Sequence, residues 1–149
     1  MKNIKKILAI LIAVALSGSF GTNSEAQNKD DDIIVIVNKR VPINSISAGE
    51  LKMLFLKKRT NWSDGSRIVL VHAKSNTDLR RKFLEKVMDM TQKKERLYWQ
   101  NQKIQRGITG PTEFVRTQKS VFFLKGSIGY MWRRDYKEGV TKSVLVIPD

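Results

Sequence analysis

The 149-residue chain contains no cysteine, one histidine and only three prolines. Without thiols it has no disulfide scaffold, no Cys-ligated zinc and no thiol nucleophile. The single histidine, His72, excludes a multi-histidine metal site within one chain. Acidic residues are scarce as well: 14 Asp and Glu face 28 Lys and Arg, a net charge of +14. Long apolar runs are missing. The longest, Ile7–Leu16, is half the roughly 20 residues that a helix needs to cross a bilayer. No G-x-x-x-x-G-K or G-x-G-x-x-G phosphate-binding loop is present. What remains is a chain with 41% hydrophobic residues, enough for one packed domain and too short for several.

The first residues read as a leader. Lys2, Lys5 and Lys6 form a basic head, and the apolar run Ile7–Leu16 follows. Ser24-Glu25-Ala26 then puts small residues at the two positions that a signal peptidase reads. The expectation is a secretory signal peptide over residues 1–26, cleaved after Ala26, and a periplasmic or secreted chain from Gln27. With no cysteine after the run, a lipoprotein anchor is excluded, and the mature chain is expected to have no transmembrane span. Three Lys and one Glu lie in the leader, so the remainder keeps 25 basic and 13 acidic residues, a net of +12. Such a charge points to polyanions or anionic surfaces as neighbours, and export argues against nucleic acid.

Asn28–Asp32 is a polar, acidic lead-in expected to be flexible over residues 27–32. Its aspartates lack the spacing of a cation loop. Ile33–Val37 is a continuous β-branched run, expected to be a strand buried on both faces. Ser47 with Glu50 forms a capping box ahead of Leu51, Leu54 and Phe55. Asn61–Gly65 is turn chemistry, and Ile68–Val71 predicts a second strand. Ser75-Asn76-Thr77 can cap a helix carrying Leu79, Phe83, Val87 and Met90, and Thr91 can cap the next. Pro111 is expected to open a short helix running through Phe114 to Leu124. Ser127–Trp132 and Val144–Ile147 predict the last two strands. Strands alternating with helices define an α/β domain over residues 33–149, with a mixed, mostly parallel sheet flanked by helices.

Enzyme chemistry finds little footing. His72, Ser75 and Asp78 are close in sequence, but a triad requires convergence in space. No catalytic or metal-ligating residue is assigned and no cofactor is implied. Gly107-Ile108-Thr109-Gly110 has the G-x-x-G spacing of an RNA-binding loop, a weak match in an exported chain. Trp62, Trp99 and Trp132 are expected to pack in the core. The more physical candidate is the strand-to-helix junction at Lys74, Ser75, Asn76 and Thr77. A helix start offers free N–H groups, the hydroxyls add donors, and Lys74 adds charge, so a small oxyanion could sit there.

The order of motifs resembles the periplasmic phosphate-binding (PstS-like, type 2 periplasmic solute-binding) protein family of ABC transporters. Those motifs are the strand Ile33–Val37, Ile46–Leu51 leading to Leu54-Phe55-Leu56, Asn61–Gly65, Tyr98-Trp99 and Gly126–Tyr130. The resemblance covers Ile33 to Ile147 and implies a single lobe of that fold. It implies a non-enzymatic solute-binding protein, with a small oxyanion such as phosphate as ligand. In the family pattern R-s-D-x-S-G-T, aligned back from Phe83, the Arg falls on Ala73, the Asp on Ser75, the Ser on Thr77 and the Gly on Asp78. Only the hydroxyl at Thr77 is kept. The family glycine after Leu56 is Lys57 here. An alternative reading is a basic envelope interaction module with a vestigial pocket, contacting an anionic surface or a protein partner. It would use Lys57-Lys58-Arg59, Arg80-Arg81-Lys82 or Arg133-Arg134. With Leu79 and Phe83 facing inward, Arg80, Arg81 and Lys82 are expected to point outward.

Overall fold

The computed structural model describes residues 29–149. The leader reading at 1–26 lies outside the described residues, as do Gln27 and Asn28. Five strands and four α-helices follow in the order β1 (Ile33–Val37), α1 (Ala48–Phe55), β2 (Val69–Ala73), α2 (Asp78–Phe83), α3 (Gln92–Arg106), β3 (Thr112–Phe114), α4 (Thr117–Phe123), β4 (Ser127–Trp132) and β5 (Lys142–Ile147). The strands form one sheet in the order β3-β2-β4-β1-β5. β2 runs parallel to β3 and to β4, whereas β1 runs antiparallel to β4 and to β5. The mixed α/β sheet is the expected one, its pairings divided evenly between the two senses rather than mostly parallel.

β1 explains why both faces of the sheet are covered. All five of its residues are buried, and successive side chains point to opposite faces. Ile33, Val35 and Val37 join a large core with Leu51, Leu54 and Phe55 of α1 and with Phe83, Leu84, Val87 and Met88. Ile34 and Ile36 join a smaller core with Val71, Met131 and Val121 of α4. α1 and α2 therefore cover one face and α4 the other.

The helix starts follow their sequence signals. Ser47 and Glu50 form the reciprocal capping box, and the Thr77 and Thr91 hydroxyls accept from the backbone N–H groups of Arg80 and Lys94. α2 passes into a single π-helical stretch, Leu84–Met88, closed by Asp89 at φ 54°. Met90 still packs against the large core, as its spacing predicts.

Three expectations are corrected. Pro111 does not open a helix. It precedes the edge strand β3, and α4 begins only at Thr117, because Thr112–Phe114 pairs with Val71–Ala73. Asp31 and Asp32, placed by the sequence in a flexible lead-in, are anchored instead. Asp31 pairs with Arg134, and Asp32 is buried, accepts from Arg133 and receives the backbone N–H of Asp149. Of the three tryptophans Trp62 is fully buried, its indole N–H donating to the Gly126 carbonyl at 2.9 Å, Trp132 packs against the large core from its edge, and Trp99 belongs to neither core. Trp99 and Trp132 are half-buried and lie beneath cations, Lys57 over the first and Lys82 and Arg134 over the second.

Lys57 stands where the family pattern has glycine, and it adopts the left-handed conformation that glycine favours, φ 54°. Its ammonium donates to the carbonyls of Thr109 and Gly110 at 2.7 and 3.2 Å. Those bonds help hold a conformation that an L side chain rarely adopts. Burial, with the nearby charge of Arg67, pushes the Lys57 ammonium below its usual pKa.

Candidate functional site

The parallel part of the sheet locates the site. The helix after β2 packs on one face, and the helix after β3 packs on the other. The carboxyl ends of these adjacent strands therefore open a crevice between diverging chains, the place where open α/β sheets bind ligands. A cleft of about 620 Å³ lies there. Its walls include Lys74, Thr77 and Asp78 after β2, Phe114, Val115 and Thr117 after β3, and Trp132 and Arg134 after β4, with Asp31 beside Arg134.

The four expected oxyanion residues are split by the turn between β2 and α2. Lys74 and Thr77 line the crevice. Ser75 and Asn76 line a neighbouring groove of about 520 Å³ between α3 and β3. Asn76 causes the split with a left-handed φ of 62° and a backbone N–H that donates to the Gln92 side chain at 2.9 Å. The Ser75 hydroxyl donates to Glu113 at 3.3 Å. The Thr77 hydroxyl is committed on both sides: it donates to the Lys74 carbonyl at 2.7 Å and accepts from the Arg80 N–H at 3.3 Å. The Lys74 ammonium has no side-chain partner among the described residues.

Other cations at the crevice are already neutralised. Arg134 pairs with Asp31, and Lys82 with the carboxylate of Asp149. Arg81 reaches Asp78 and Glu85, both at 3.5 Å. The rim thus carries Trp132 flanked by Lys82 at 5.3 Å and Arg134 at 4.9 Å from the ring centre, with most of its charge balanced internally.

Behind the crevice lies a buried polar chain that sequence reasoning missed. Arg80 does not point outward with its neighbours. It is 6% exposed, on one stripe with Phe83, Leu84 and Val87. Its guanidinium grips Glu95 through Nε to Oε2 at 3.0 Å and Nη2 to Oε1 at 2.9 Å, and a third N–H donates to the Ala73 carbonyl. Glu95 in turn faces His72, Oε1 to Nε2 at 2.9 Å, and the other ring nitrogen meets the Tyr130 hydroxyl at 2.6 Å. The Ala73 N–H completes the chain by donating to the Tyr130 oxygen.

The protonation states follow from burial. Burial is the main cause that pushes His72 down to about 4, and the Arg80 charge adds to it. The imidazole is therefore neutral near pH 7. Burial also raises Tyr130 well above its ordinary value, so the phenol keeps its proton. Tyr130 then donates to Nδ1, and Nε2–H donates to Glu95. Burial would raise Glu95, but the hydrogen bond from His72 and the Arg80 guanidinium outweigh it and hold the carboxyl below its usual range. No buried side-chain polar atom is left without a partner among the described residues. His72, Ser75 and Asp78 do not converge, each having a different partner. Glu95 could not be foreseen from local spacing, because its partner Arg80 lies 15 residues away. The position of Arg80 one turn before Phe83 and Leu84 was the available signal.

The fold is similar to about half of several solved transport-protein structures. One, from Clostridium perfringens, is described as a phosphate ABC transporter substrate-binding protein with bound phosphate; it is 21% identical, with TM-score 0.56 over 76% of this chain and 44% of that one. PstS from Borrelia burgdorferi is 12% identical, with TM-score 0.59 over 76% of this chain and 46% of that one. An ABC-type phosphate transport receptor from Vibrio cholerae is 14% identical, with TM-score 0.58 over 83% of this chain and 52% of that one. The chain thus spans about half the length of these proteins. No protein-family model and no characterised protein matches the sequence. Among the described residues, no helix is long and apolar enough to cross a membrane.

Proposed function

We propose that this chain is an exported, non-enzymatic solute-binding lobe that takes a small oxyanion such as phosphate into the crevice at the carboxyl ends of β2 and β3. One observation carries the reading: the cleft at this switch point includes Lys74, a cation with no internal partner, beside the Thr77 turn. Lys74 supplies the charge. Thr77 shapes the turn that presents it, and Ser75 and Asn76 brace that turn from the adjacent groove. A lone Lys lacks the planar fork with which Arg grips an oxyanion, so the expected affinity is modest.

Calorimetric titration of the chain from Gln27 with phosphate and sulfate, at low and high salt, tests the reading. Saturable binding at both salt concentrations, lost in Lys74→Gln and kept in Thr77→Ser, supports it. Absence of binding, or binding unchanged in Lys74→Gln, overturns it. The internal neutralisation of Arg134, Lys82 and Arg81 favours a second reading, a basic interaction module whose pocket is vestigial. In that case only binding to polyanionic surfaces is measured, and it falls steeply with salt.

A further inference from the structure

At the other end of the sheet, α4 buries Val121 and turns Phe122 and Phe123 outward, 48% and 68% exposed. Their rings meet edge to face at 4.9 Å and have no other aromatic partner among the described residues. The Asn38 side chain donates to the Val121 and Phe122 carbonyls, both at 2.9 Å, and so fixes the turn after β1 against this helix end. That turn carries Lys39 and Arg40, both exposed. Lys119 lies one turn earlier on α4 and Lys125 just beyond it, again exposed. None of the four cationic side chains has an acidic partner among the described residues. The segments 38–46 and 115–134 contain no Asp or Glu at all.

We infer that this patch docks the protein on an anionic lipid bilayer, with Phe122 and Phe123 entering the headgroup region and Lys39, Arg40, Lys119 and Lys125 meeting anionic lipids. Charge decides the partner's sign, and area decides its kind. Two partly exposed Phe side chains offer no more than about 250 Å² of apolar contact. A stable protein interface takes about 800 Å² per partner, whereas a bilayer needs only shallow aromatic insertion beside cations. The register allows both ends of the sheet to work at once. β4 runs from Ser127, beside the patch, to Trp132, at the crevice, so the two are separated by roughly 17 Å of strand. A docked lobe presents its crevice away from the bilayer. This inference does not depend on what the crevice binds.

The test is co-sedimentation with vesicles of phosphatidylcholine alone and of phosphatidylcholine mixed with phosphatidylglycerol. The protein is the chain from Gln27, which contains every strand and helix among the described residues. The expected result is binding to the anionic vesicles only, weakened at high salt. It should be reduced at least tenfold in Phe122→Ser/Phe123→Ser and by a similar factor in Lys119→Glu/Lys125→Glu, since each cation near an anionic surface contributes roughly fivefold. Melting curves establish that the variants are folded, and the single Phe123→Ser, at the more exposed ring, replaces the double variant if that one is not. Binding unchanged on loss of the phenylalanines, equal binding to neutral vesicles, no vesicle binding, or self-association through the patch without lipid would each overturn the inference.

Discussion

The two ends of the sheet treat charge in opposite ways. At the carboxyl end of β2 and β4, Arg134, Lys82 and Arg81 are consumed by Asp31, Asp149, Asp78 and Glu85, and Lys74 has no side-chain partner among the described residues. At the amino end, Lys39, Arg40, Lys119 and Lys125 surround two exposed phenylalanines with no acid in the surrounding segments. A net charge of +14 therefore says little by itself. What a cation can do depends on whether the fold has already given it a carboxylate. In the proposed reading the crevice serves one small anion, and the opposite face an extended anionic surface.

The largest effect that would disturb this comparison lies behind the crevice. Glu95 is the one buried residue of the fifteen in α3. Glu95→Ala leaves Arg80 as an uncompensated buried charge, a loss of roughly 3–5 kcal/mol, whereas replacing a surface carboxylate such as Glu85 is expected to cost within about 0.5 kcal/mol. Urea unfolding checks both, and amide exchange should show α3 losing protection first. At the amino end, Gly126→Ala is the matching disruption. Gly126 has φ +73°, and a Cβ there would lie 2.3 Å from the Arg67 carbonyl oxygen. The expected loss is about 2 kcal/mol or more, from left-handed strain and the backbone clash together.

Much of the scaffold was legible because its signals are local. The β-branched run of β1, the Ser47–Glu50 box and the Thr91 cap each lie within a few residues and are found where expected, and of the three cap candidates Ser75, Asn76 and Thr77 it is Thr77 that starts α2. β3 was not legible. It is three residues long, lies at an edge and has no buried residue, so its pairing with β2 leaves no apolar pattern to read. The oxyanion turn was legible as a turn but not as a surface, because the left-handed Asn76 sends its two halves into different clefts. Arg80 was misplaced because its inward position depends on Glu95, a partner on another helix.

A smaller effect is a pH dependence of stability that originates at the crevice end. The folded-state pKa of His72, about 4, lies below its ordinary 6.5, so the unfolded chain binds more protons between these values. Stability is expected to be full above about pH 6.5 and to fall as the pH drops toward 4. The lowered Glu95 adds a further loss below its ordinary 4.5. Melting midpoints across this range check the trend, and His72→Gln should flatten its upper part. The smallest change is Lys74→Gln, which removes an exposed, unpaired charge and is expected to shift stability within about 0.5 kcal/mol. It separates binding from folding for that reason.

Amide chemical shifts recorded during a phosphate titration of the chain from Gln27 test the central claim most directly. The expected result is saturable shifts concentrated at residues 73–78 and 114–117, around the crevice, and absent in Lys74→Gln. Shifts spread over the basic surface that track ionic strength, or none at the crevice, would contradict an oxyanion site there.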